Sequence, residues 1–451
     1  ELIMYPETPQ LFKEIMPYGG IIDDDNFWIQ LCKLMPWEKL KILYEKHFRP
    51  RRRNGAKDYR LMMGLLIGKT IQDMSDRKIL RYFYENPYFQ YFCGMDTFTT
   101  PKSKKVLHAS TLSKWRSRLG KDYFEAFEIE VQKILIRHKL VDPKTVMLDA
   151  SVFESNIVYP NDVKLMNCVR EWSCKMILEI KNKINPKDRI RTYRRVAKKL
   201  YLNFAKKKKK SKKMIAKTKK QMAQFLFRNM IQLETLIQKY RQLGKSCFDI
   251  FEGLAVDGIA QKLETGWQIY HQQIEMIQKK INRIPNRIVS FHQPQVRPIL
   301  RGKENKSVEF GPKVHLSWVS GFAFIDKLSF SAFNEKKYLE DSIEKHKIRF
   351  GVYPKTALID DGYSSRENRE FLKEKNVTHS LKTIGKPPND PKFRYLNRKL
   401  RKKRSEIEGL IGTLKQHWTL SKIIYTIKDG EQIQTSLAFG CHNLVKAMAR
   451  I

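Results

Sequence analysis

Two aspartates in this sequence follow short apolar runs and are placed where a site could form. Asp149 ends the run VMLD, and Asp360 ends the run ALID. Such runs are typical of buried strands, and α/β sheets bind their ligands at the carboxyl ends of strands. Asp361 stands beside Asp360, but only Asp360 matches Asp149 in ending the apolar run. We therefore interpret Asp360 as the candidate ligand and Asp361 as a turn residue or a weak helper.

A third carboxylate, Glu408, lies in a basic stretch near the end of the chain. Residues 401–418, RKKRSEIEGLIGTLKQHW, predict a single helix. At about 100° per residue, Arg404, Glu408 and Lys415 share one stripe of this helix. An apolar face lies beside the stripe and predicts packing on a sheet. The alternative is a solvated, salt-bridged face, since Arg404 and Glu408 are also an i,i+4 pair.

Three carboxylates from two strands and a helix suit hard divalent cations, which take oxygen ligands. Two such ions about 4 Å apart can activate an attacking oxygen and stabilise a leaving one in phosphodiester displacement. Arg404 and Lys415 would then hold phosphates beside the metals. The spacing therefore favours metal-dependent chemistry on a phosphodiester.

The charge of the chain indicates a polyanionic partner. Its 451 residues contain 88 Lys and Arg against 47 Asp and Glu, a net charge of +41. Nucleic acid fits this excess best, because no stretch approaches the ~18 uninterrupted apolar residues of a membrane span. Anionic lipid remains an alternative. The six cysteines are scattered without C-x-x-C pairs, which argues against a zinc site or a disulfide framework and favours a reduced, cytoplasmic protein.

Several common catalytic motifs are excluded. The GKT at 68–70 and the GKS at 244–246 lack the first glycine of a phosphate-binding loop and follow no strand, so no nucleoside triphosphate site is expected. Neither G-x-S-x-G nor H-E-x-x-H occurs. The serine-hydrolase and zincin classes therefore do not apply.

Two basic segments are candidate DNA contacts. HASTLSKWRSRLG predicts a short helix capped near Ser110 that carries Lys114 and Arg116 beside Trp115. Packing of Leu112, Trp115 and Leu119 into a core is an equal alternative. Residues 191–220 hold fifteen Lys and Arg and no acidic residue. We favour phosphate contact there over a solvated arm, and its continuous run is Lys206, Lys207, Lys208, Lys209 and Lys210.

The order of predicted elements indicates an α/β protein with an interrupted core. Residues 1–120 are mostly helical and predict a domain for DNA binding or assembly. Residues 140–160 and 300–451 supply strands and helices in alternation, which demands a partly parallel sheet. Residues 161–299 predict a helical, lysine-rich insertion after the first strand.

The three carboxylate motifs resemble those of the DDE transposases of bacterial insertion sequences, in the branch related to insertion sequence five. RKKRSEIEGLIGTLK supplies the Arg-x3-Glu-x6-Lys signature with Arg404, Glu408 and Lys415. Arg401 occupies the position where that signature has a tyrosine. The second motif, Asp-x-Gly-Tyr, matches Asp360 with Gly362 and Tyr363 as supporting residues, and LDAS at Asp149 matches the first motif.

The resemblance implies a ribonuclease-H-like catalytic core that binds two Mg²⁺ ions, with Mn²⁺ as a substitute. Asp149 would bridge the ions, and Asp360 and Glu408 would each complete the shell of one. The implied reaction is cleavage of double-stranded DNA at the terminal inverted repeats of a mobile element, followed by attack of the freed 3′-hydroxyl on target DNA. The DNA contacts would include Arg401, Arg404 and Lys415.

The reaction also bears on assembly and location. Joining two element ends in one event favours a homodimer on DNA, and a bacterial, cytoplasmic, nucleoid-associated protein is expected. Two alternative functions are consistent with many of the same sequence features. One is a ribonuclease-H-fold nuclease that only hydrolyses DNA, and the other is a domesticated, non-catalytic DNA-binding protein, which is expected to have lost a carboxylate.

Overall fold

The computed structural model describes residues 23–47, 57–102, 107–242, 256–303, 306–383, 385 and 389–451. The chain divides into two compact units. The first unit comprises Glu1–Asn156 and Gly311–Ile451, and the second comprises Ile157–Phe310. Residues 1–22, at the start of the predicted N-terminal domain, lie outside the described residues.

The first unit begins with a helical region, as the sequence predicts. Ser75 caps one of its helices by accepting a hydrogen bond from the Lys78 amide, as expected for a serine before an apolar-periodic run. The helices enclose an apolar core that includes Trp28, Met63 and Phe89. They are α1 (Phe27–Leu34), α2 (Trp37–His47), α3 (Tyr59–Ile71), α4 (Asp76–Glu85), α5 (Pro87–Phe92) and α6 (Ala109–Arg137).

Helix α6 is longer than the short helix predicted from its basic segment. His108, not Ser110, is the N-cap residue. Gly120 has a left-handed φ of 70° and kinks the helix, which then continues to Arg137. Glycine accepts that φ without a steric cost, so the kink lies where the sequence indicates a helix end. Before the kink, Leu112, Trp115 and Leu119 are buried, so the packing alternative for the tryptophan holds.

The second unit begins soon after the first strand, β1 (Thr145–Val152). Its helices bury an apolar core that includes Met166, Leu226 and Ile269. Asp162 forms ion pairs with Lys219 and Arg287. The elements are α7 (Asp162–Ile184), α8 (Arg194–Lys206), α9 (Lys212–Gln242), α10 (Val256–Gln278) and a hairpin of β2 (Pro298–Lys303) and β3 (Lys306–Phe310).

The remainder of the first unit alternates strands and helices. The hairpin of β4 (Lys313–Val319) and β5 (Phe322–Ser329) turns at Ser320 and Gly321. Gly351 ends a helix in the left-handed conformation. The other elements are α11 (Leu339–Phe350), β6 (Thr356–Leu358), α12 (Arg366–Glu374), β7 (Thr378–His379), α13 (Pro391–Arg404), α14 (Glu406–His417) and α15 (Gly430–Met448).

A five-stranded mixed sheet organises this part of the chain. Its strand order is β5-β4-β1-β6-β7. Strand β1 pairs antiparallel with β4 and parallel with β6, and β6 pairs parallel with β7. The prediction of an α/β protein with a helical N-terminal region and a partly parallel sheet is therefore confirmed.

Apolar residues cover both faces of the sheet. On one face Val146 and Leu148 of β1 belong to a buried cluster with Ile343 of α11. On the other face Met147 belongs to a cluster with Ile407 of α14. Successive side chains of a strand point to opposite faces, so β1 is buried on both sides. None of the described helices is long and apolar enough to cross a membrane.

The two chain segments that flank the second unit meet beside the end of β1. The Phe153 amide donates a hydrogen bond to the Pro312 carbonyl at 3.1 Å. A Cβ atom at Gly311 would lie 2.0 Å from the Phe153 carbonyl oxygen. Only glycine permits this close approach of two backbones.

A buried carboxylate connects the helical region to the edge of the sheet. Glu128 of α6 accepts a hydrogen bond from the Ile325 amide of β5 at 3.3 Å. Burial raises the pKa of Glu128 to about 7, although the Ile325 amide acts to lower it. Between the ordinary glutamate pKa and about 7, the folded chain therefore binds more protons than the unfolded chain, and stability falls as pH rises.

Replacing Glu128 with glutamine should stabilise the protein more at pH 8 than at pH 5. Glutamine accepts the same hydrogen bond without a buried charge, so we expect a gain of about 1–3 kcal/mol at pH 8 and little gain at pH 5. Melting temperatures at the two pH values measure the difference. Asp122→Asn, an exposed position of the same helix, is the control and should shift the melting temperature equally at both. An equal shift for Glu128→Gln would contradict the prediction.

Candidate active site

The parallel pairing of β1 with β6 places Asp149 and Asp360 at matching positions. Met147 pairs with Leu358, and each aspartate follows two residues later in its own chain segment. Side chains two residues apart in an extended segment share a face. That face carries α14, because Met147, Leu358 and Ile407 form one apolar cluster. Both aspartates therefore lie at the carboxyl end of the parallel pair, under the edge of α14.

The structure corrects one detail of the sequence interpretation. Asp149 does not end β1, because the strand continues to Val152. The last three residues pair only with β4, with Ala150 opposite His315. Pairing with β6 stops at Met147, so Asp149 lies just beyond the end of the parallel ladder although it is inside the strand.

The two aspartates share a local hydrogen-bond pattern. The Ala150 amide donates to Asp149 Oδ1 at 2.7 Å, and the Asp361 amide donates to Asp360 Oδ1 at 2.7 Å. In both cases the bond fixes the carboxylate against its own backbone and leaves the second oxygen available. Asp149 is half-buried, whereas the Asp360 side chain is 54% exposed.

Burial is the largest cause that raises the pKa of Asp149, to about 6. The Ala150 amide acts in the opposite direction, while the negative charges of Glu335 and Asp360 raise the pKa further. Arg404 lowers it and also lies 3.8 Å from Asp360 Oδ1. The site therefore concentrates negative charge, and Arg404 offsets part of it at Asp149.

Asp361 has a different role from Asp360. Its carboxylate accepts hydrogen bonds from the Lys382 amide at 3.0 Å and from Arg401 Nη2 at 3.0 Å, and Lys382 Nζ lies at 3.1 Å. These contacts favour the charged form and keep the pKa of Asp361 below its usual range, although burial opposes them. Asp361 is thus the turn residue that the sequence predicts, and Arg401 anchors α13 to this turn.

The predicted helix of residues 401–418 is interrupted in the structure. Helix α13 ends at Arg404, Ser405 forms a turn, and α14 starts at Glu406. Ser405 Oγ donates to the Lys402 carbonyl at 2.6 Å, which competes with the helical ladder. Arg404 is therefore on a different helix from Glu408, and the three-residue stripe predicted from a single helix is broken.

Glu408 and Lys415 still share one flank of α14. They are separated by seven residues, which is about 20° on a helix. Lys415 Nζ lies 5.5 Å from the centre of the Phe153 ring, so this flank faces the chain just after β1. Glu408 itself is exposed. Across the ranges that the structure describes, no three His, Cys, Asp or Glu residues lie close enough together to hold a metal ion.

Glu335 is a carboxylate near the site that sequence reasoning missed. It starts a short 3₁₀ helix, Glu335–Tyr338, and forms an ion pair with Lys313 at 2.7 Å. Its charge raises the pKa of Asp149. The sequence gives no periodic or motif signal for this residue, because its position depends on tertiary contacts.

A buried polar network lies behind the two aspartates. The Tyr363 hydroxyl is 2.7 Å from His315 Nε2, and His315 Nδ1 is 3.0 Å from Ser342 Oγ. Asp326 lies 3.6 Å from His315 and 2.6 Å from Arg349. Burial acts to raise the pKa of Asp326, but Arg349 and His315 hold it well below its ordinary value. Tyr363 thus ties the Asp360 turn to β4.

A Cβ at the other supporting residue, Gly362, would meet Asp360 Oδ2 at 4.0 Å, an ordinary contact.

The two basic residues predicted on α6 differ in accessibility. Lys114 is exposed. Arg116 is buried, and its Nη1 and Nη2 donate to Asp76 at 3.1 and 2.7 Å, while its guanidinium lies 4.3 Å from the Tyr425 ring centre. In the described conformation Arg116 therefore holds α6 against α4. Its guanidinium is not accessible, so this conformation does not allow the predicted phosphate contact by Arg116. An arginine and an aspartate separated by forty residues carry no local sequence signal.

The lysine run lies at the junction of α8 and the following turn. Lys206 ends α8, and Lys207, Lys208 and Lys209 are exposed in the turn. Lys210 is less accessible, since its Nζ donates to the Lys207 carbonyl at 2.6 Å and lies 5.2 Å from the Phe204 ring centre. Four of the five lysines are therefore accessible to a phosphate backbone.

Comparison with known proteins gives two family matches. Residues 17–118 match a family model described as a transposase domain (DUF772), and residues 357–444 match one described as a transposase DDE domain. A relative from Rhizobium meliloti, named uncharacterized protein ORF8 in nfe locus, is 29% identical over 170 residues, which cover 36% of this chain and 79% of the relative. No solved structure matches the chain.

These matches place the chain among enzymes that cleave and transfer DNA. Within that class, the two matches and the relative indicate an insertion-sequence DDE transposase. The DDE match contains both Asp360 and Glu408, whereas Asp149 and the second unit lie outside either match.

The two neighbouring aspartates of the second motif should respond differently to substitution. Asp360→Asn should abolish DNA cleavage, because Asp360 occupies the position that matches Asp149. Asp361→Asn should keep cleavage within about tenfold of the original rate, because its partly exposed ion pairs contribute about 1 kcal/mol or less. Cleavage of DNA carrying the element's ends measures both. The reverse ranking, in variants with unchanged melting temperatures, would make Asp361 the ligand.

Proposed function

We propose that this transposase cleaves DNA at the ends of its mobile element and joins the freed 3′-hydroxyl to target DNA at a site made by Asp149, Asp360 and Glu408. The observation that carries the proposal is the matched position of Asp149 and Asp360, each two residues beyond the last β1–β6 pair. A ribonuclease-H-like core is part of the proposal. The mixed sheet, with antiparallel β5, β4 and β1 extended by parallel β6 and β7, supports it. The Arg-x3-Glu-x6-Lys spacing supports membership of the branch related to insertion sequence five.

The chemistry of the two aspartates fits a divalent cation. DDE transposase domains generally use divalent metal ions, and we propose two Mg²⁺ ions here, with Mn²⁺ as a substitute. Neighbouring carboxylates raise the pKa of Asp149 beyond the effect of burial, and a bound cation relieves this repulsion. When bound, such ions activate the attacking oxygen and stabilise the leaving oxygen of a phosphodiester.

Glu408 supplies the third carboxylate in this proposal. It lies on the flank of α14 that also carries Lys415, and that flank faces the chain after β1. Because no three possible metal ligands lie close together in the described part of the chain, metal or DNA binding must draw Glu408 toward the aspartates. Arg404, 3.8 Å from Asp360 Oδ1, and Lys415 would bind the phosphates on either side of the cleaved bond.

The partner is double-stranded DNA, consistent with a net charge of +41. We propose that the protein recognises terminal inverted repeats and acts as a homodimer assembled on DNA, because two ends must be joined in one event. Such a reaction places the protein at the bacterial nucleoid in the cytoplasm.

The metal site is tested with two glutamates of the same helix. Glu408→Gln should weaken Mn²⁺ binding and abolish Mg²⁺-dependent cleavage, as should Asp149→Ala. Glu406→Gln is the matched control, because Glu406 is also exposed on α14 but lies about 160° away around the helix. Titration with Mn²⁺ and gel analysis of terminal-repeat DNA give the two readouts. Equal effects of Glu408→Gln and Glu406→Gln would refute the assignment, and cleavage without joining would favour a nuclease.

The lysine run should contribute to DNA affinity by neutralising backbone phosphates. Replacing Lys206, Lys207, Lys208 and Lys209 with glutamine should weaken binding, and it should reduce the salt dependence of log K by about 0.9 for each duplex phosphate that these lysines neutralise. Fluorescence anisotropy over a range of salt concentrations measures this slope. An unchanged slope would identify the run as a solvated surface.

A further inference from the structure

Helix α13 combines extreme charge with proximity to the aspartates. Eight of its fourteen residues are Lys or Arg, and none is Asp or Glu. Ordinary exposed helices alternate charges and gain i,i+4 ion pairs. Helix α13 has no acidic residue to form such pairs along its own length, so its like charges repel one another. A helix with this composition is stabilised when a polyanion neutralises it.

The inner face of α13 is attached to the sheet and to the active-site turn. Leu400 packs against the apolar cluster under α14, and Asn397 Nδ2 donates to the Leu381 carbonyl at 3.4 Å. Arg401 contacts Asp361, and Arg404 lies beside Asp360. These positions have the i, i+3, i+4, i+7 spacing of a single helix face. The opposite face of α13 therefore has a fixed orientation and is exposed to solvent.

The outer face of α13 has an exposed aromatic residue at its centre. Taking Arg401 as 0° and about 100° per residue, the inner face centres near 300° and Tyr395 falls near 120°, directly opposite. Tyr395 is 69% exposed. The exposed Arg398, Lys399 and Lys402 fall on either side of it. A tyrosine so exposed gains nothing from the core, because an aromatic ring stabilises a fold by burial.

We propose that the outer face of α13, centred on Tyr395, binds an unpaired stretch of the substrate DNA that flanks the cleaved phosphodiester and passes over the side of the helix facing away from the two aspartates. Arg398, Lys399 and Lys402 contact consecutive phosphates of that stretch, and the Tyr395 ring stacks on one of its bases. The combination of cationic side chains along a strand with an aromatic stacking surface is typical of binding to unpaired nucleic acid. The proposal rests on the proposed function, since it assigns the DNA that the Asp149 and Asp360 site acts upon.

Charge and position favour DNA over an acidic protein as the partner of this face. An acidic protein would bind the cationic side chains of this face, but such binding does not require the Tyr395 ring to lie among them. The inner-face contacts of Arg401 and Arg404 place α13 next to the two aspartates, where the substrate strand must pass. Arg116 is buried against Asp76, whereas Arg398, Lys399 and Lys402 are exposed and accessible to phosphates.

The stacking contact is tested with Tyr395→Ala, Tyr395→Phe and Leu396→Ala. Leu396 is 46% exposed on the same helix but lies about 100° from Tyr395, so it is the matched control. Affinities are measured without divalent metal, on element-end DNA with an unpaired terminal segment and on a blunt duplex. Tyr395→Ala should weaken binding to the unpaired substrate by about 5- to 100-fold, while Tyr395→Phe and Leu396→Ala bind as the original protein does.

The blunt duplex should respond less to Tyr395→Ala than the unpaired substrate does. Unchanged affinity of Tyr395→Ala for the unpaired substrate would overturn the stacking assignment, as would an equal reduction in Leu396→Ala.

The phosphate contacts are tested with the triple variant Arg398→Gln, Lys399→Gln and Lys402→Gln. The slope of log K against log salt should fall by about 2 to 3, since each contact contributes about 0.7 to 0.9. An unchanged slope would overturn the proposal and leave an acidic protein as the partner. Asp149→Ala should bind both DNAs normally in these assays, so a failed metal site and a failed α13 surface give different results.

Discussion

Carboxylates held close together oppose one another's ionisation, and in the α/β region of this chain Glu335 and Asp360 both act in this way on Asp149. Strand β1, which contains Asp149, and strand β6, which ends two residues before Asp360, are far apart in sequence, and their parallel pairing fixes both side chains on one face. Burial adds to the cost of ionising Asp149. Such an arrangement opposes folding unless packing elsewhere stabilises it, which is typical of functional sites.

Packing on both sides of the sheet supplies that stabilisation. Residues of β1 alternate between two apolar clusters, so the strand cannot shift by one residue without exposing both sets. Behind the Asp360 turn, the Tyr363 hydroxyl contacts His315 of β4, and His315 lies 3.6 Å from Asp326, which pairs with Arg349 of α11. A largely buried polar network of this kind permits few alternative conformations. Buried contacts of Tyr363 thus fix the turn that carries Asp360, while the Asp360 side chain remains exposed to solvent.

Features that depend on neighbouring residues were predictable from the sequence, whereas features that depend on distant ones were not. The β4–β5 hairpin, the helix end at Gly351 and the Ser75 cap follow from local turn and capping chemistry. The extension of β1 beyond Asp149 depends on pairing with β4, and the burial of Arg116 depends on Asp76. Motif spacing predicts Asp149, Asp360 and Glu408 as site residues, and the first two lie at the carboxyl end of the same parallel strand pair. The role of Glu335 and the break at Ser405 arise from tertiary contacts and hydrogen-bond competition that periodicity does not encode.

The close backbone approach at Gly311 has a consequence for how such a chain can be assembled over evolution. Because the Phe153 amide bonds to Pro312, the segment Ile157–Phe310 leaves and re-enters the sheet region at one spot. Residues 157–310 are therefore equivalent, for the stability of the sheet, to a single loop whose two ends lie next to each other. The entropy of closing a loop grows only slowly with its length, so lengthening or exchanging this segment costs the sheet little. The sheet and the lysine-rich helices can therefore acquire changes separately, as long as a glycine remains at the junction.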